Sequence, residues 1–337
     1  MPNPRYSFIV PVLDEEESLP ELLDRMSALM DDLDGEAELV LIDDGSTDAG
    51  NSMIRAAMDR DPRIKLLELS RNFGHQIAIT AGTDFARGEA VVILDADLQD
   101  PPEVVLAMIE KWREGYDIVY GVRAAREGDS YFKRVTARLF YRCLKFMVAF
   151  PVAMEAGDFR LIDRRALSAF QKLREHNRFV RGMWAWVGFR QAAVEYERHA
   201  RKRGESKYPL AKMLRLAIHG IISFSDLPLQ IAIWIGTGVS ALGAVYGCYV
   251  VALWLQGDER LASGWSSLIV IMTFLGGIQL TLLGIVGMYV GRIHEEVKNR
   301  PLYVISDVVG LKELPKVDRA VIAQPRRHPA PGDTEGE

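Results

Sequence analysis

Short apolar runs alternate with amphipathic segments over the first 123 residues of the chain. The apolar runs read YSFIVPVL, AELVLIDD, IKLLELS, AVVILDAD and DIVYGVR, and a segment with helical spacing follows each of the first four. Strands that alternate with helices pair in parallel, and the helices cover both faces of the sheet. The pattern predicts an α/β, doubly wound fold with a mixed, mainly parallel sheet.

Two long stretches near the other end, residues 227–257 and 261–291, lack Asp, Glu, Lys and Arg. Each exceeds the roughly 20 apolar residues that cross the hydrocarbon of a bilayer, so both are predicted to be transmembrane helices. The alternative is a pair of buried helices in a soluble domain. Basic residues flank the pair, whereas the connector holds only Arg260, which predicts a multi-pass protein of the inner (plasma) membrane with both termini in the cytoplasm. The flanking basic residues are Arg201, Arg203, Lys207, Lys212, Arg215, Arg292, Lys298 and Arg300.

Basic and apolar side chains also recur at helical spacing in two other segments, residues 132–150 and 206–227. A basic stripe beside an apolar one is typical of a helix that lies in the headgroup layer of a membrane. An ordinary surface helix with a solvated face is the alternative. The second segment directly precedes the apolar stretches, which favours the interfacial interpretation for it.

Composition narrows the possible partners and compartments. The formal net charge of −5 gives no global attraction to nucleic acid, so no nucleic-acid partner is expected. Cys143 and Cys248 fit neither a metal-ligand spacing nor a disulfide framework, which favours a reducing compartment. The first residues lack the pattern of a cleavable signal peptide. From about residue 316 the chain is rich in proline and polar residues, which predicts a disordered tail.

Polar clusters follow the first four predicted strands, at residues 11–15, 43–48, 70–75 and 95–100. In open α/β sheets, ligands bind beyond the carboxyl ends of the strands, so these clusters are expected along one edge. Asp95 and Asp97 leave a buried strand at alternate positions and can converge on a divalent cation, to which Gln99 could add a neutral oxygen. Such a pair is a weak signal alone. Its place beside the 43–48 cluster strengthens the prediction that Mg²⁺ or Mn²⁺ binds there with a substrate diphosphate.

The 43–48 cluster, DDGSTD, has two interpretations. Ser46 or Thr47 can cap the following helix, while Asp43 and Asp44 can accept hydrogen bonds from a base or a ribose. The sequence has no glycine-rich phosphate-binding turn. A nucleotide is therefore expected to bind through its metal, base and sugar.

Several motifs in order resemble those of glycosyltransferase family 2 enzymes that load a sugar onto polyprenyl phosphate. The motifs are VPVLDEEESL, LVLIDDGSTD, LSRNFGHQIAITAG, LDADLQDPPE, EAGDFRLIDRRAL and RKRGESKY, followed by the two apolar stretches. The similarity runs from Tyr6 to about Pro301 and is strongest to bacterial polyprenyl-phosphate glucosyltransferases, which are relatives of dolichol-phosphate mannose synthase. It implies a GT-A-like (Rossmann-like) fold, divalent-metal-dependent hexosyl transfer and a homo-oligomer, by resemblance a tetramer.

The resemblance also implies roles for individual residues. Metal ligands would be Asp95, Asp97 and Gln99. Nucleotide-sugar-binding residues would be Pro11, Leu13, Glu15, Asp43, Asp44, Asp95, Ala96, Asp97, Arg201 and Lys207. Acceptor-phosphate-binding residues would be Arg123, Lys133, Arg134, Arg138 and Ser206, and catalytic residues would be Asp158, Asp97 and Arg123. Relatives often have Tyr-Asn where this chain has Leu13 and Asp14.

The expected reaction transfers a hexose, by resemblance glucose from UDP-glucose, to polyprenyl (undecaprenyl) phosphate on the cytoplasmic face, with inversion at the anomeric carbon. A phosphate monoester has a second pKa near ~6 and is already anionic at neutral pH, so the leaving group carries the larger barrier. We expect the metal, Arg201 and Lys207 to neutralise the departing diphosphate. Asp158 is expected to orient the acceptor or a sugar hydroxyl, or to face the developing positive charge.

Other functions stay open at this point. Mannose, galactose or an amino sugar could replace glucose, and the chain could be a non-catalytic membrane scaffold or a lipid-linked sugar carrier. A processive polysaccharide synthase would need a QxxRW motif, and a haloacid-dehalogenase-like phosphatase would need a hydroxyl residue at the position of Gln99. We expect His75 to be a structural hydrogen bonder and Trp184 and Trp186 to pack or to anchor at an interface.

The expected domains are a sheet domain over residues 1–205, an interfacial helix over 206–227, a two-helix membrane domain over 228–294 and a cytoplasmic segment over 295–337.

Overall fold

The computed structural model describes residues 4–123, 156–197, 227–256, 264–311 and 320–322. These residues form two units, one containing all the described strands and six helices, the other containing two long helices. The strands are β1 (Tyr6–Val12), β2 (Ala37–Asp43), β3 (Ile64–Leu69), β4 (Ala90–Ile93), β5 (Ile118–Arg123), β6 (Ala156–Asp163), β7 (Gln191–Tyr196), β8 (Tyr303–Val309) and β9 (Ala320–Ile322). The helices are α1 (Leu19–Asp31), α2 (Gly50–Met58), α3 (His75–Phe85), α4 (Val104–Arg113), α5 (Arg164–Phe170), α6 (Val180–Trp186), α7 (Leu227–Leu255) and α8 (Trp265–Val297).

The strands form a single sheet in the order β7-β5-β6-β4-β1-β2-β3-β8-β9. At its centre β4, β1, β2 and β3 are parallel neighbours. On one side β6 runs antiparallel to both β4 and β5, so β5 points the same way as the central strands. On the other side β8 runs antiparallel to β3. The predicted GT-A-like, mixed and mainly parallel sheet is therefore confirmed.

Helices cover the central strands closely. Every residue of β1 and β2 is buried, as expected for parallel strands that are covered on both faces. Helix α3 lies so near the sheet that a Cβ atom at Gly82 would sit 2.3 Å from Ile9 Cγ2 and 2.7 Å from Ile42 Cδ1. This packing defines the position of α3, whose first residue, His75, lies at the carboxyl edge of the sheet.

The chain returns to the sheet after the second long helix. Strand β8 follows α8 after a short connection and pairs with β3 from Leu66↔Val309 to Leu69↔Ile305. Tyr303 is fully buried, and its hydroxyl donates a hydrogen bond to Asp84 Oδ2 at 2.7 Å. The sequence pattern had not indicated this strand. Strand β9 pairs in parallel with β8 and falls within the tail predicted to be disordered, whose other residues lie outside the described part.

Helices α7 and α8 each contain a stretch that is long and apolar enough to cross a membrane. The stretches are Leu229–Tyr249, with a mean hydropathy of 1.6, and Phe274–Val297, with a mean hydropathy of 1.7. Large apolar side chains along them are exposed, including Trp234, Leu242 and Leu280. The two predicted basic segments, except Leu227, and the boundary at 205 fall on residues 124–155 and 198–226, outside the described residues, so they stay predictions. Leu227, the predicted last residue of the interfacial helix, is the first residue of α7.

Candidate active site

A pocket of about 300 Å³ opens at the carboxyl edge of the sheet, where β1, β2 and β4 end. This volume lies at the lower end of the range for small-molecule sites. Many of the residues assigned to the nucleotide sugar line it: Pro11, Leu13, Glu15, Asp44, Asp95, Ala96 and Asp97. Val12, His75 and Ala78 also contribute to the lining. The topology therefore brings together side chains from separate loops, as the alternation of strands and helices predicted.

The loop after β4 places Asp95 and Asp97 at this pocket. Asp97 Oδ1 accepts a hydrogen bond from the backbone N–H of Gln99 at 3.1 Å, which closes a tight turn. Within the turn Leu98 has a φ of 52°, a left-handed conformation that costs a non-glycine residue about 1–2 kcal/mol. The Gln99 side chain is buried and does not belong to the pocket lining. Its predicted role as a metal ligand stays a prediction.

The surroundings of Asp95 fit a divalent cation. Its Oδ1 atom is buried and accepts no hydrogen bond from the described residues, although His75 Nε2 lies 3.5 Å away. Burial raises the pKa of Asp95 to about 6, because the effect of His75 in the opposite direction is smaller. A cation would stabilise such a desolvated carboxylate. Among the described residues no group of three His, Cys, Asp or Glu side chains forms a metal site, so phosphates and water would have to supply further ligands.

A buried carboxylate, Asp158, lies beside the pocket. Because β6 runs antiparallel to β4, its first residues lie at the edge where β4 ends. Asp158 is held on one side by Arg181 of α6, with Nε 3.0 Å from Oδ1 and Nη2 3.2 Å from Oδ2. On the other side His75 Nε2 lies 3.4 Å from Oδ2. Burial alone would raise the pKa of Asp158, but the hydrogen bonds from His75 and Arg181 outweigh burial and lower it.

His75 thus lies between the two carboxylates, Asp95 and Asp158. Burial opposes its protonation, but Asp158 and Asp95 together raise the pKa of the imidazole above its usual value. We expected His75 to be a structural hydrogen bonder, and the structure adds that it lines the pocket. The sequence did not predict that Arg181 binds Asp158, nor that His75 contacts both Asp95 and Asp158. An arginine within the otherwise apolar helix VRGMWAW was the available signal for Arg181.

Asp43 and Asp44 have different surroundings. Asp44 lines the pocket and ties in the loop before α3, accepting hydrogen bonds from the N–H groups of Phe73 at 2.7 Å and Gly74 at 2.9 Å. Asp43 is buried, and its two oxygens accept from Ser46 N–H at 2.8 Å and Asn51 Nδ2 at 2.7 Å. The structure therefore shows Asp43 organising the 43–48 turn, and its predicted contact with a nucleoside stays a prediction.

The loops after β1 and β2 bind each other. Asp14, with a φ of 52°, accepts a hydrogen bond from Thr47 N–H at 2.7 Å, and its own N–H donates to Ser46 Oγ at 3.1 Å. The interpretation of Ser46 or Thr47 as a helix cap was wrong, because α2 begins after Ala49 without a side-chain cap. Their side chains and backbone instead join two walls of the pocket, which places Leu13 at its rim.

Arg123 ends β5 at the same edge and lies 3.7 Å from Asp100 of the acidic loop. The other predicted phosphate-binding residues lie outside the described residues: Lys133, Arg134, Arg138, Arg201, Ser206 and Lys207. Their roles stay predictions.

Comparison with known proteins identifies the family. Residues 7–170 match Glycosyl transferase family 2. An uncharacterized glycosyltransferase, YkcC of Bacillus subtilis (strain 168), is 48% identical over 308 residues, which are 91% of this chain and 95% of the relative. The SfII prophage-derived bactoprenol glucosyl transferase of Shigella flexneri is 40% identical over 302 residues, which are 90% of this chain and 97% of the relative.

The solved structure of glucosyl-3-phosphoglycerate synthase from Mycobacterium tuberculosis with Mn²⁺, UDP and glucosyl-3-phosphoglycerate is 21% identical. It covers 66% of this chain and 80% of its own, with a TM-score of 0.46.

An acidic pocket at the carboxyl edge of a mixed sheet is the arrangement of a GT-A-like transferase. The chain belongs to glycosyl transferase family 2 and is a glycosyltransferase, which confirms the resemblance seen in its motifs.

Proposed function

We propose that this protein transfers a glucosyl group from UDP-glucose to polyprenyl phosphate at the cytoplasmic face of the plasma membrane, with α7 and α8 as membrane spans. The observation that carries the proposal is the pocket in which Asp95 and Asp97 meet, with Asp158 joined to it through His75. Two apolar helices and relatives called bactoprenol glucosyl transferases support a lipid acceptor.

The transfer would be a single displacement. An oxygen of the acceptor phosphate forms a bond to the anomeric carbon, and the bond from that carbon to the β-phosphate oxygen of UDP breaks, leaving with its electron pair. The acceptor oxygen is anionic at neutral pH, so no proton has to move. Attack from the face opposite the leaving group inverts the anomeric centre, which gives a β-linked product from an α-linked donor.

The residues at this edge of the sheet would divide between the donor and the acceptor of the reaction. Asp95 and Asp97 would hold Mg²⁺ or Mn²⁺, which when bound supplies positive charge to the leaving diphosphate. Arg123 would receive the acceptor phosphate, for which a guanidinium offers a planar set of donors.

Asp158 suits an orienting role better than a proton-accepting one. Its lowered pKa makes it a weak base, and Arg181 and His75 hold its oxygens in place. In this position the carboxylate would orient a sugar hydroxyl or face the positive charge that develops at the anomeric carbon.

The experiment is sugar transfer by the purified full chain in detergent. Undecaprenyl phosphate is incubated with radiolabelled UDP- or GDP-sugars, with and without Mn²⁺, and label is counted in the butanol phase. We expect transfer from UDP-glucose that EDTA and Asp97→Ala abolish, whereas Asp59→Ala, at an exposed carboxylate after α2, retains it. If sugar is transferred only from a donor other than UDP-glucose, that donor's sugar takes the place of glucose in the proposal. Absence of transfer from every donor would overturn it.

A further inference from the structure

Arg123 is paired with a buried partner at the carboxyl edge. Its Nη2 atom lies 3.7 Å from Oδ2 of Asp100, whose side chain is 1% exposed, whereas the side chain of Arg123 is 39% exposed. A guanidinium has five N–H donors in a fixed plane. One edge of the group can therefore face Asp100 while other N–H donors stay exposed and available to a ligand.

Asp100 is itself fixed by Tyr196 at the end of β7. The Tyr196 hydroxyl donates a hydrogen bond to Asp100 Oδ1 at 2.6 Å. Burial raises the pKa of Tyr196 to about 12, and the bond to Asp100 adds to the effect, so the phenol keeps its proton and acts as the donor. The carboxylate of Asp100 thus contacts both a neutral donor and a cation.

The sheet holds Tyr196 where it can make this contact. Strands β5 and β7 are parallel, with Arg123 in register with Tyr196. The ring of Tyr196 packs edge-on against Phe159, with ring centroids 5.6 Å apart. A Cβ atom at Gly121 would lie 2.7 Å from Tyr196 Cε1, so the glycine provides the space that the ring occupies. Three neighbouring strands therefore build the support for Asp100.

We propose that Asp100 and Tyr196 are positioning residues that orient the Arg123 guanidinium toward the phosphate monoester of the acceptor. The proposal rests on the proposed function, in which Arg123 receives that phosphate. Asp100 belongs to the same loop as Asp95 and Asp97. One loop would therefore carry the donor-side carboxylates and also set the direction of the acceptor-side cation.

The test compares Asp100→Asn and Tyr196→Phe with the wild-type full chain in detergent. Asparagine keeps the size of the side chain and removes its charge, and phenylalanine keeps the ring and removes the donor. We expect KM for undecaprenyl phosphate to rise about tenfold in Asp100→Asn and about threefold in Tyr196→Phe, with kcat changed less than about threefold. KM for the nucleotide sugar and the Kd for Mn²⁺ should stay within about twofold, because the charge of Asp100 influences Asp95 less than burial and His75 do.

Two controls separate positioning from a general loss of structure. Tyr6→Phe removes another tyrosine–carboxylate hydrogen bond, the part-buried one from Tyr6 to Asp34 Oδ1 at 2.7 Å, at the opposite end of the parallel strands, and should leave acceptor KM unchanged. In a double-mutant cycle, Asp100→Asn should add less than about twofold to acceptor KM once Arg123→Ala is present, because Asp100 acts through Arg123.

The outcomes distinguish this inference from the proposed function. Unchanged acceptor KM in Asp100→Asn, an equal rise in donor KM, or full additivity with Arg123→Ala would overturn the inference while leaving transfer established. If the wild type transfers no sugar, direct binding of farnesyl phosphate is measured by calorimetry. Weaker binding in Asp100→Asn would then support the inference although the proposed function had failed, and equal binding or none would overturn both.

Discussion

Arg181 holds Asp158 by both carboxylate oxygens, one from Nε at 3.0 Å and the other from Nη2 at 3.2 Å. The contact joins α6 to the first residues of β6, 23 positions earlier in the chain. Since Asp158 is buried, Arg181 and His75 together favour its ionised form beside the pocket.

Removing that partner should raise the pKa of Asp158. In Arg181→Met one of the two partners that outweigh burial is lost while His75 remains, so the acidic limb of the pH–kcat profile should move to higher pH. At pH 7.5 kcat should fall about tenfold, because the carboxylate is no longer held by both oxygens. The pH profile of sugar transfer measures both effects. Arg165→Met, at an exposed arginine of α5, is the matched control. An unshifted acidic limb in Arg181→Met would contradict the assigned role.

Metal affinity should depend on pH through Asp95. Burial raises the pKa of this carboxyl to about 6, and a cation binds the ionised form. Affinity for Mn²⁺ should therefore be constant above about pH 7 and fall about tenfold per pH unit well below pH 6. Calorimetric titration between pH 5 and 8 tests this. Asp95→Asn should abolish the dependence together with tight binding, whereas Glu110→Gln, at an exposed site on α4, should retain both. An Mn²⁺ affinity that does not change with pH in the wild type would contradict the role of Asp95.

The turn at Gly45 should not tolerate a side chain. Gly45 has a φ of 81°, and a Cβ atom there would lie 2.8 Å from the backbone atoms Arg71 C and Asn72 N. Gly45→Ala is expected to lower stability by about 2 kcal/mol or more, combining the left-handed conformation with a backbone clash. Gly115→Ala shares the positive φ, with its nearest contact at 3.6 Å, and should lose about 1 kcal/mol. Unfolding in denaturant measures the loss of stability in each variant. Equal losses in Gly45→Ala and Gly115→Ala would show that the backbone near Gly45 relaxes to remove the clash.

The junction of β8 with the rest of the sheet should weaken in Tyr303→Phe. The Tyr303 hydroxyl donates to Asp84, which also accepts from Arg174 Nη1 at 2.8 Å. Loss of this buried hydrogen bond should lower stability by about 1–3 kcal/mol. Hydrogen exchange of the β3 and β8 amides measures the loss locally. Ser306→Ala removes a 3.2 Å hydrogen bond from the same strand and should have a smaller effect, so an equal effect would count against the role of Tyr303.

The sequence allowed prediction of much of the sheet and part of the site. Strands β1 to β5 follow from apolar runs, and the rule that ligands bind at carboxyl ends places Asp44, Asp95 and Asp97 together. These are local patterns combined with one topological rule. They predict where a loop lies, and the structure shows where its side chains point.

The contacts that were missed depend on packing between distant elements. His75 meets Asp158 because α3 packs closely on the sheet, and Arg181 meets it because α6 approaches the first residues of β6. Asp43 and Asp44 are adjacent and chemically identical. Asp43 accepts a hydrogen bond within its own turn, whereas Asp44 lines the pocket. Strand β8 escaped prediction because its pairing partner, β3, precedes it by more than 230 residues.

The return of the chain to the sheet at β8 sets an order for biosynthesis. The edge of β3 is complete only when Tyr303–Val309 has left the ribosome, and both apolar helices are made before that. An unpaired edge strand is prone to wrong pairing while it waits. The sheet that begins with β1 is therefore completed only after both long apolar helices have been made, so its first and last strands are separated in time by the synthesis of another unit.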